Sequence, residues 1–167
     1  MKKLTLILAT AVIAMTSLSS QTVNGSFAAL KTVLRARLEI DFSKALIHNM
    51  AEEQFAIYEK DWDKDMPEII GDFVSECNER CRGTILVGNY PDAPYNIRIA
   101  VHSINTNGDW DCDAFLLDAD GEELGSITGI FATGGRIGSK LNLIKDGASH
   151  TGELFGILLK RAIKKAK

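Results

Sequence analysis

Cysteine is scarce in this chain: three residues in 167, none before Cys77. That excludes a disulfide-dense scaffold and a four-thiolate zinc site. Histidine is equally scarce, and His48, His102 and His150 show no metal-ligand spacing. Cys77 and Cys81 form a CxxxC pair, not the CxxC of thiol redox enzymes. Basic residues are outnumbered 19 to 22, for a formal charge of −3, which speaks against general nucleic-acid binding. The patterns GxSxG and HExxH are missing, so the sequence assigns no catalytic residue, no metal and no cofactor. Beyond the N-terminal segment there is no apolar run approaching the ~20 residues that cross a bilayer, and no repeat or low-complexity stretch.

What is there begins at the N-terminus. Lys2 and Lys3 precede an apolar run from Leu4 to Met15, and small residues from Ser17 to Ser20 follow. This three-part pattern predicts a secretory signal peptide over residues 1–20, with export to the periplasm or the exterior. No cysteine stands near the expected cleavage point, so the product is not expected to be a lipoprotein. Loss of Lys2 and Lys3 takes the formal charge from −3 to −5. Residues 21–31 read as a flexible arm, and residues 32–167 as one α/β (or α+β) domain with a sizeable core.

Hydrophobic periodicity supplies the elements. Leu34, Ala36, Leu38, Ile40 and Phe42 alternate with charged residues, which predicts a strand over 33–42 with one buried face. Helices are expected over 51–62 and 66–82, the second opening on Pro67 and burying Ile69, Phe73, Cys77 and Cys81. Short strands follow over 84–87, 95–106, 109–117 and 122–131, the last three joined by Asn107-Gly108 and Asp120-Gly121 turns. A helix over 140–166 ends the chain. The expected fold is a mixed sheet with an antiparallel meander and helices mainly on one face.

Taken as two-residue loops, the turns set Ser103 against Cys112, His102 against Asp113 and Ala114 against Ile127. Ile97, Ile99, Val101, Ser103, Trp110, Cys112, Ala114, Leu116, Ile127 and Phe131 then face the helices. Ile104 joins a mixed opposite face with His102, Asp111 and Asp113. Those three residues are a candidate polar site on the sheet, with a cross-strand charge pair as the plainer reading. Gly152 and Gly156, four apart in the last helix, predict a close approach of helix backbone to the sheet. Gly125 and Gly129 are expected on the sheet side of that approach.

An oxidising compartment permits a bridge from Cys112 to Cys77 or Cys81, while buried free thiols are the commoner fate of such residues. The stretch FATGGRIGSK, residues 131–140, falls at a strand-to-helix junction and makes Arg136, Ser139 and Lys140 a candidate anion site. It is not a Walker loop, because lysine and hydroxyl are transposed after Gly138 and the glycine spacing is one short. Ser139 suits a helix N-cap. The basic tail KRAIKKAK fits either anionic lipid or an acidic polymer, or simply complements a helix dipole.

The order of elements, the segment LLDADGEELGSITG, the glycine-rich link and the glycine-bearing last helix together resemble a bacterial envelope domain type. That type is the periplasmic α/β domain of the curli secretion lipoprotein CsgG, the activator LpoB and the N-terminal domain of TolB, and the likeness spans Leu34 to Lys165. Residues 33–80 are also similar to small secreted proteins of Bacteroides-type bacteria. The resemblance implies an envelope accessory protein that binds an envelope protein or polymer, and it transfers no site residue. A small-ligand or anion-binding domain using residues 134–140 is the alternative, and a hydrolase the third.

Overall fold

The computed structural model describes residues 21–167, so the expected signal peptide over residues 1–20 lies outside the described residues. The fold is a mixed sheet covered by helices on one face. Its strands are β1 (Thr22–Gly25), β2 (Arg35–Asp41), β3 (Leu46–Ile47), β4 (Met50–Ala51), β5 (Leu86–Gly88), β6 (Asn96–Ile104), β7 (Trp110–Leu117) and β8 (Glu123–Ala132). Its helices are α1 (Glu52–Tyr58), α2 (Trp62–Cys81) and α3 (Lys140–Lys165). The main sheet runs β1-β8-β7-β6-β2-β5, and β3 continues beside β6 with β4 as its hairpin partner. β2 pairs in parallel with β5 and β6, while β6, β7, β8 and β1 are antiparallel.

The segment expected to be a loose arm is ordered instead. Val23 pairs with Ile127 and Asn24 with Ser126, and a 3-10 turn over Ala28–Thr32 buries Leu30. Phe27, also buried, is received by Gly125, where a Cβ would stand 3.0 Å from its ring. Gly125 therefore makes room for Phe27 and not for a helix.

α2 begins at Trp62, one turn before the expected start, so Pro67 lies inside it. A proline past the first turn costs ~3 kcal/mol or more. Trp62 is fully buried edge-on to Phe42 at 5.8 Å and to Phe55 at 5.2 Å. Burying one such side chain contributes roughly 3 kcal/mol, and each aromatic pair about 0.5–1.5 kcal/mol more. α1 is correspondingly shorter than expected, ending at Tyr58.

α2 and α3 lie parallel. Lys145 bonds Glu68 and lies 3.7 Å from Asp72, and Arg80 bonds Glu153. Gly152 and Gly156 make the close approach, but to α2. A Cβ on Gly152 would meet the Phe73 carbonyl oxygen at 2.2 Å, and one on Gly156 the Cys77 carbonyl at 2.7 Å. The approach of α3 to the sheet is made by Gly147, against the Gly108 carbonyl and the Trp110 ring.

All three thiols are free and buried. Cys81 Sγ donates to the Gly156 carbonyl at 3.4 Å, so it is turned to α3 and not to Cys112 on the sheet. The hydrogen bond with Cys81, and then burial, push the Cys77 thiol well above its ordinary range; burial does the same to Cys112. The bridge that an oxidising compartment would permit is not formed.

Both meander turns have three-residue loops. Asn105 N–H donates to Asp109 O at 3.1 Å and Asp118 N–H to Glu122 O at 3.0 Å, with Gly108 and Gly121 at φ 77° and 85°. The Asn105 side chain accepts the Asn107 and Asp109 N–H groups, and Asp118 accepts those of Asp120 and Glu122. These Asx turns choose the longer loop.

Candidate functional site

With the helices on one face, the other face of the sheet is open. β2 contributes Arg35, Arg37, Glu39 and Asp41, the residues that alternate with its inward Ala36, Leu38 and Ile40. β6 adds Asn96, Arg98 and Ala100, and β7 adds Asp111, Asp113, Phe115 and Leu117. Register aligns them in rows: Glu39, Arg98, Phe115 and Ser126 run across four strands, and Asp41, Ala100 and Asp113 across three.

The rows interleave charge with aromatic surface. Glu39 lies 3.5 Å from Arg37 and accepts Asn96 Nδ2. The Arg98 guanidinium stacks 5.5 Å over the Phe115 ring, with its Nε buried and unpaired. Hydrogen bonds from Ser43, side chain first and then backbone, hold the Asp41 carboxyl below its ordinary value. Phe131 stands 45% exposed on the same face.

Two bulges shape the end of this face. His102 is the extra residue of β6, between the Val101–Cys112 and Ser103–Asp111 pairs. On β8, Thr128 and Gly129 together oppose Asp113, with Gly129 at φ 73°. Each bulge flips the faces beyond it. Ile104 and Ile130 are therefore buried where Ser103 and Phe131 were expected.

His102 and Asp113 meet, as the turn register predicted, though Asp113's cross-strand partner is Ala100. His102 Nε2 lies 3.0 Å from Asp113 Oδ2, and Asp113 Oδ1 accepts the Gly129 N–H at 2.8 Å. Asp111 lies two pairs further along, opposite Ser103 and Phe131.

The glycine-rich segment is a strap over the first hairpin. Gly134 N–H donates to Asp109 Oδ1 at 2.7 Å, Gly135 N–H to the Leu143 carbonyl at 3.4 Å, and His150 Nδ1 meets the Thr133 carbonyl at 2.7 Å. A Cβ on Gly134 would strike the Asn107 carbonyl, and one on Gly135 the Asp146 carboxylate. Ser139 caps α3 through the Asn142 N–H. Lys140 is spent on Tyr58, bonding its hydroxyl and lying 4.2 Å over its ring. Arg136 is exposed, with no ion pair among the described residues. The three predicted anion ligands thus have separate surroundings, with a carboxylate beside the strap.

The outer edge of the sheet carries a feature that sequence reasoning missed. Asn78 of α2 donates its Nδ2 to the Val87 carbonyl and accepts the Val87 N–H at Oδ1, both at 2.8 Å. Its carboxamide fills the place of a further strand on β5. Asparagine in a helix, one residue beyond a buried cysteine, was the only signal for this.

No family model matches the chain, and no curated protein matches it. Among solved structures it is similar to a PelC dodecamer from Paraburkholderia phytofirmans, at 14% identity and a TM-score of 0.46, covering 84% of this chain and 96% of that one. A single-substitution variant of the same PelC gives 14% identity and a TM-score of 0.38, covering 83% and 96%. At these values the likeness carries no functional argument. Among the described residues, no helix is long and apolar enough to cross a membrane and no cluster of His, Cys, Asp or Glu is placed to hold a metal.

Proposed function

We propose that this chain is a non-catalytic binding module of the bacterial envelope or its exterior, exported by residues 1–20, which takes a protein or polymer on the open face of its sheet. The supporting observation is that face itself: Phe115, Leu117 and Phe131 set among Arg37, Arg98, Asp111, Asp113 and His102 on rigid strands, with every helix on the opposite side. Mixed aromatic and arginine surfaces are the usual anchors of protein interfaces. Asn78 closes the β5 edge to strand addition, which favours the face over that edge.

Site-specific photo-crosslinking in the exporting cell tests this. Probes at Phe131 and Arg37 are expected to capture a discrete partner that a probe at Glu79, exposed on α2, does not. Equal capture from both sides, or from Glu79 alone, would sink the open-face reading. The same capture should fail with Arg98→Glu while the protein stays folded.

A further inference from the structure

A second surface lies on the helix side, apart from the open sheet face. β1 and the last turns of α3 enclose a groove of about 410 Å³, within the size range of small-molecule sites. Its walls are Val23, Phe27, Leu158 and Ala162, and its rim carries Arg161 and Lys165. Val23 is 48% exposed, an apolar side chain left in solvent on an edge strand. Among the described residues, no carboxylate lines the groove and neither rim cation pairs with one.

The charge around it exceeds what the helix requires. A helix C-terminus carries about half an elementary negative charge. Lys31 already bonds the Ala166 carbonyl, and Lys160 bonds the Arg80 and Arg82 carbonyls at the end of α2. Arg161, Lys164, Lys165 and Lys167 remain, all exposed, and no acidic residue follows Glu153 in the sequence. An unpaired basic rim around an apolar groove matches an anionic amphiphile, with its chain on the walls and its headgroup on the rim.

We propose that this groove docks the protein on a membrane surface by taking an acyl chain of an anionic lipid between Val23 and Leu158, with the headgroup on Arg161 and Lys165.

The experiment is co-sedimentation with phosphatidylcholine vesicles, with and without phosphatidylglycerol. The full chain and a chain starting at Gln21 are run in parallel, so that residues 1–20 are constant within each series. Binding is expected to require phosphatidylglycerol and to fall about thirty-fold in the paired Arg161→Gln, Lys165→Gln variant. Val23→Asp is expected to weaken binding with the charges intact. In a Val23→Trp variant the new indole is expected to be quenched by brominated acyl chains, while Trp62 and Trp110, fully buried, are not. Binding that ignores phosphatidylglycerol overturns the proposal. So does an unquenched indole at position 23, or competition by soluble polyglutamate with Val23→Asp without effect, both of which mean adsorption through the basic tail alone. Circular dichroism reports the fold of each variant, and if Val23→Asp fails to fold, the quenching result decides.

Discussion

Asp113 accepts the backbone N–H of Gly129 at 2.8 Å, a side chain on β7 satisfying the donor that the bulge on β8 leaves unpaired. Its other oxygen faces His102, itself the extra residue of the bulge on β6. One carboxylate therefore ties together two irregularities on neighbouring strands.

Asp113→Leu should strand the Gly129 amide and cost about 1–3 kcal/mol. Asp113→Asn keeps an acceptor and should lose much less. His102→Ala removes only an exposed pair and should change stability by less than ~1 kcal/mol. Urea unfolding of the three variants checks the order. Equal losses for Asp113→Leu and His102→Ala would show that the His102 contact, not the amide, is the function of this carboxylate.

These bulges also mark the limit of what the sequence discloses. Period-two alternation locates β6, β7 and β8 and gives the Ala114–Ile127 pairing correctly. It cannot see that Asn105 and Asp118 cap three-residue loops, which shifts each hairpin by one at its turn, or that an extra residue at Leu124 restores the predicted register on β8. Nor can it see the extra residue at His102 or at Thr128–Gly129. Each is a local backbone choice set by one hydrogen bond, yet each exchanges the faces beyond it, so Ile104 and Ile130 replace Ser103 and Phe131 in the core. The His102–Asp113 contact survives because slip and bulge bring the two side chains near one another from a diagonal register. Likewise the His48-Asn49 turn, with both residues at positive φ and no glycine, carries none of the usual hairpin signals.

Asn78 offers a second test. Asn78→Ala should cost about 1–3 kcal/mol, because the Val87 N–H and carbonyl lose their partners. It should also open the β5 edge, beside Leu34 at 84% exposure, to pairing with another chain. Size-exclusion chromatography across concentration should show association in the variant and not in the parent. An unchanged elution profile with lost stability would mean that the edge is guarded by something else.

Two helical glycines should respond with opposite signs to the same substitution. Gly71→Ala meets nothing within 4 Å and should stabilise by about 0.5–1 kcal/mol through helix propensity. Gly152→Ala drives a methyl group into the Phe73 carbonyl, so α2 and α3 must separate, at a net loss of about 1–3 kcal/mol. Thermal unfolding of both, with each Tm set against the parent, reads the signs directly. A gain in both would show that the helices have slack at this crossing.

His48 supplies the pH dependence. Its ring sits edge-on to Phe55 at 5.1 Å with Nε2 buried and unpaired. Burial first, and then the charge of Lys140, hold its pKa below the ordinary value. The folded protein thus binds the proton less readily than the unfolded chain. The stabilisation from a neutral His48 is complete above the unfolded pKa of about 6.5 and is lost progressively as pH falls below it. His48→Asn keeps a residue that tolerates the φ of 50° and removes the titration. Urea midpoints at pH 7.5 and pH 5 should fall further in the parent than in the variant, because the remaining acid-titrating groups are common to both. An equal fall in the two proteins would place the acid sensitivity elsewhere, in carboxylates such as Asp41, whose lowered pKa acts at lower pH.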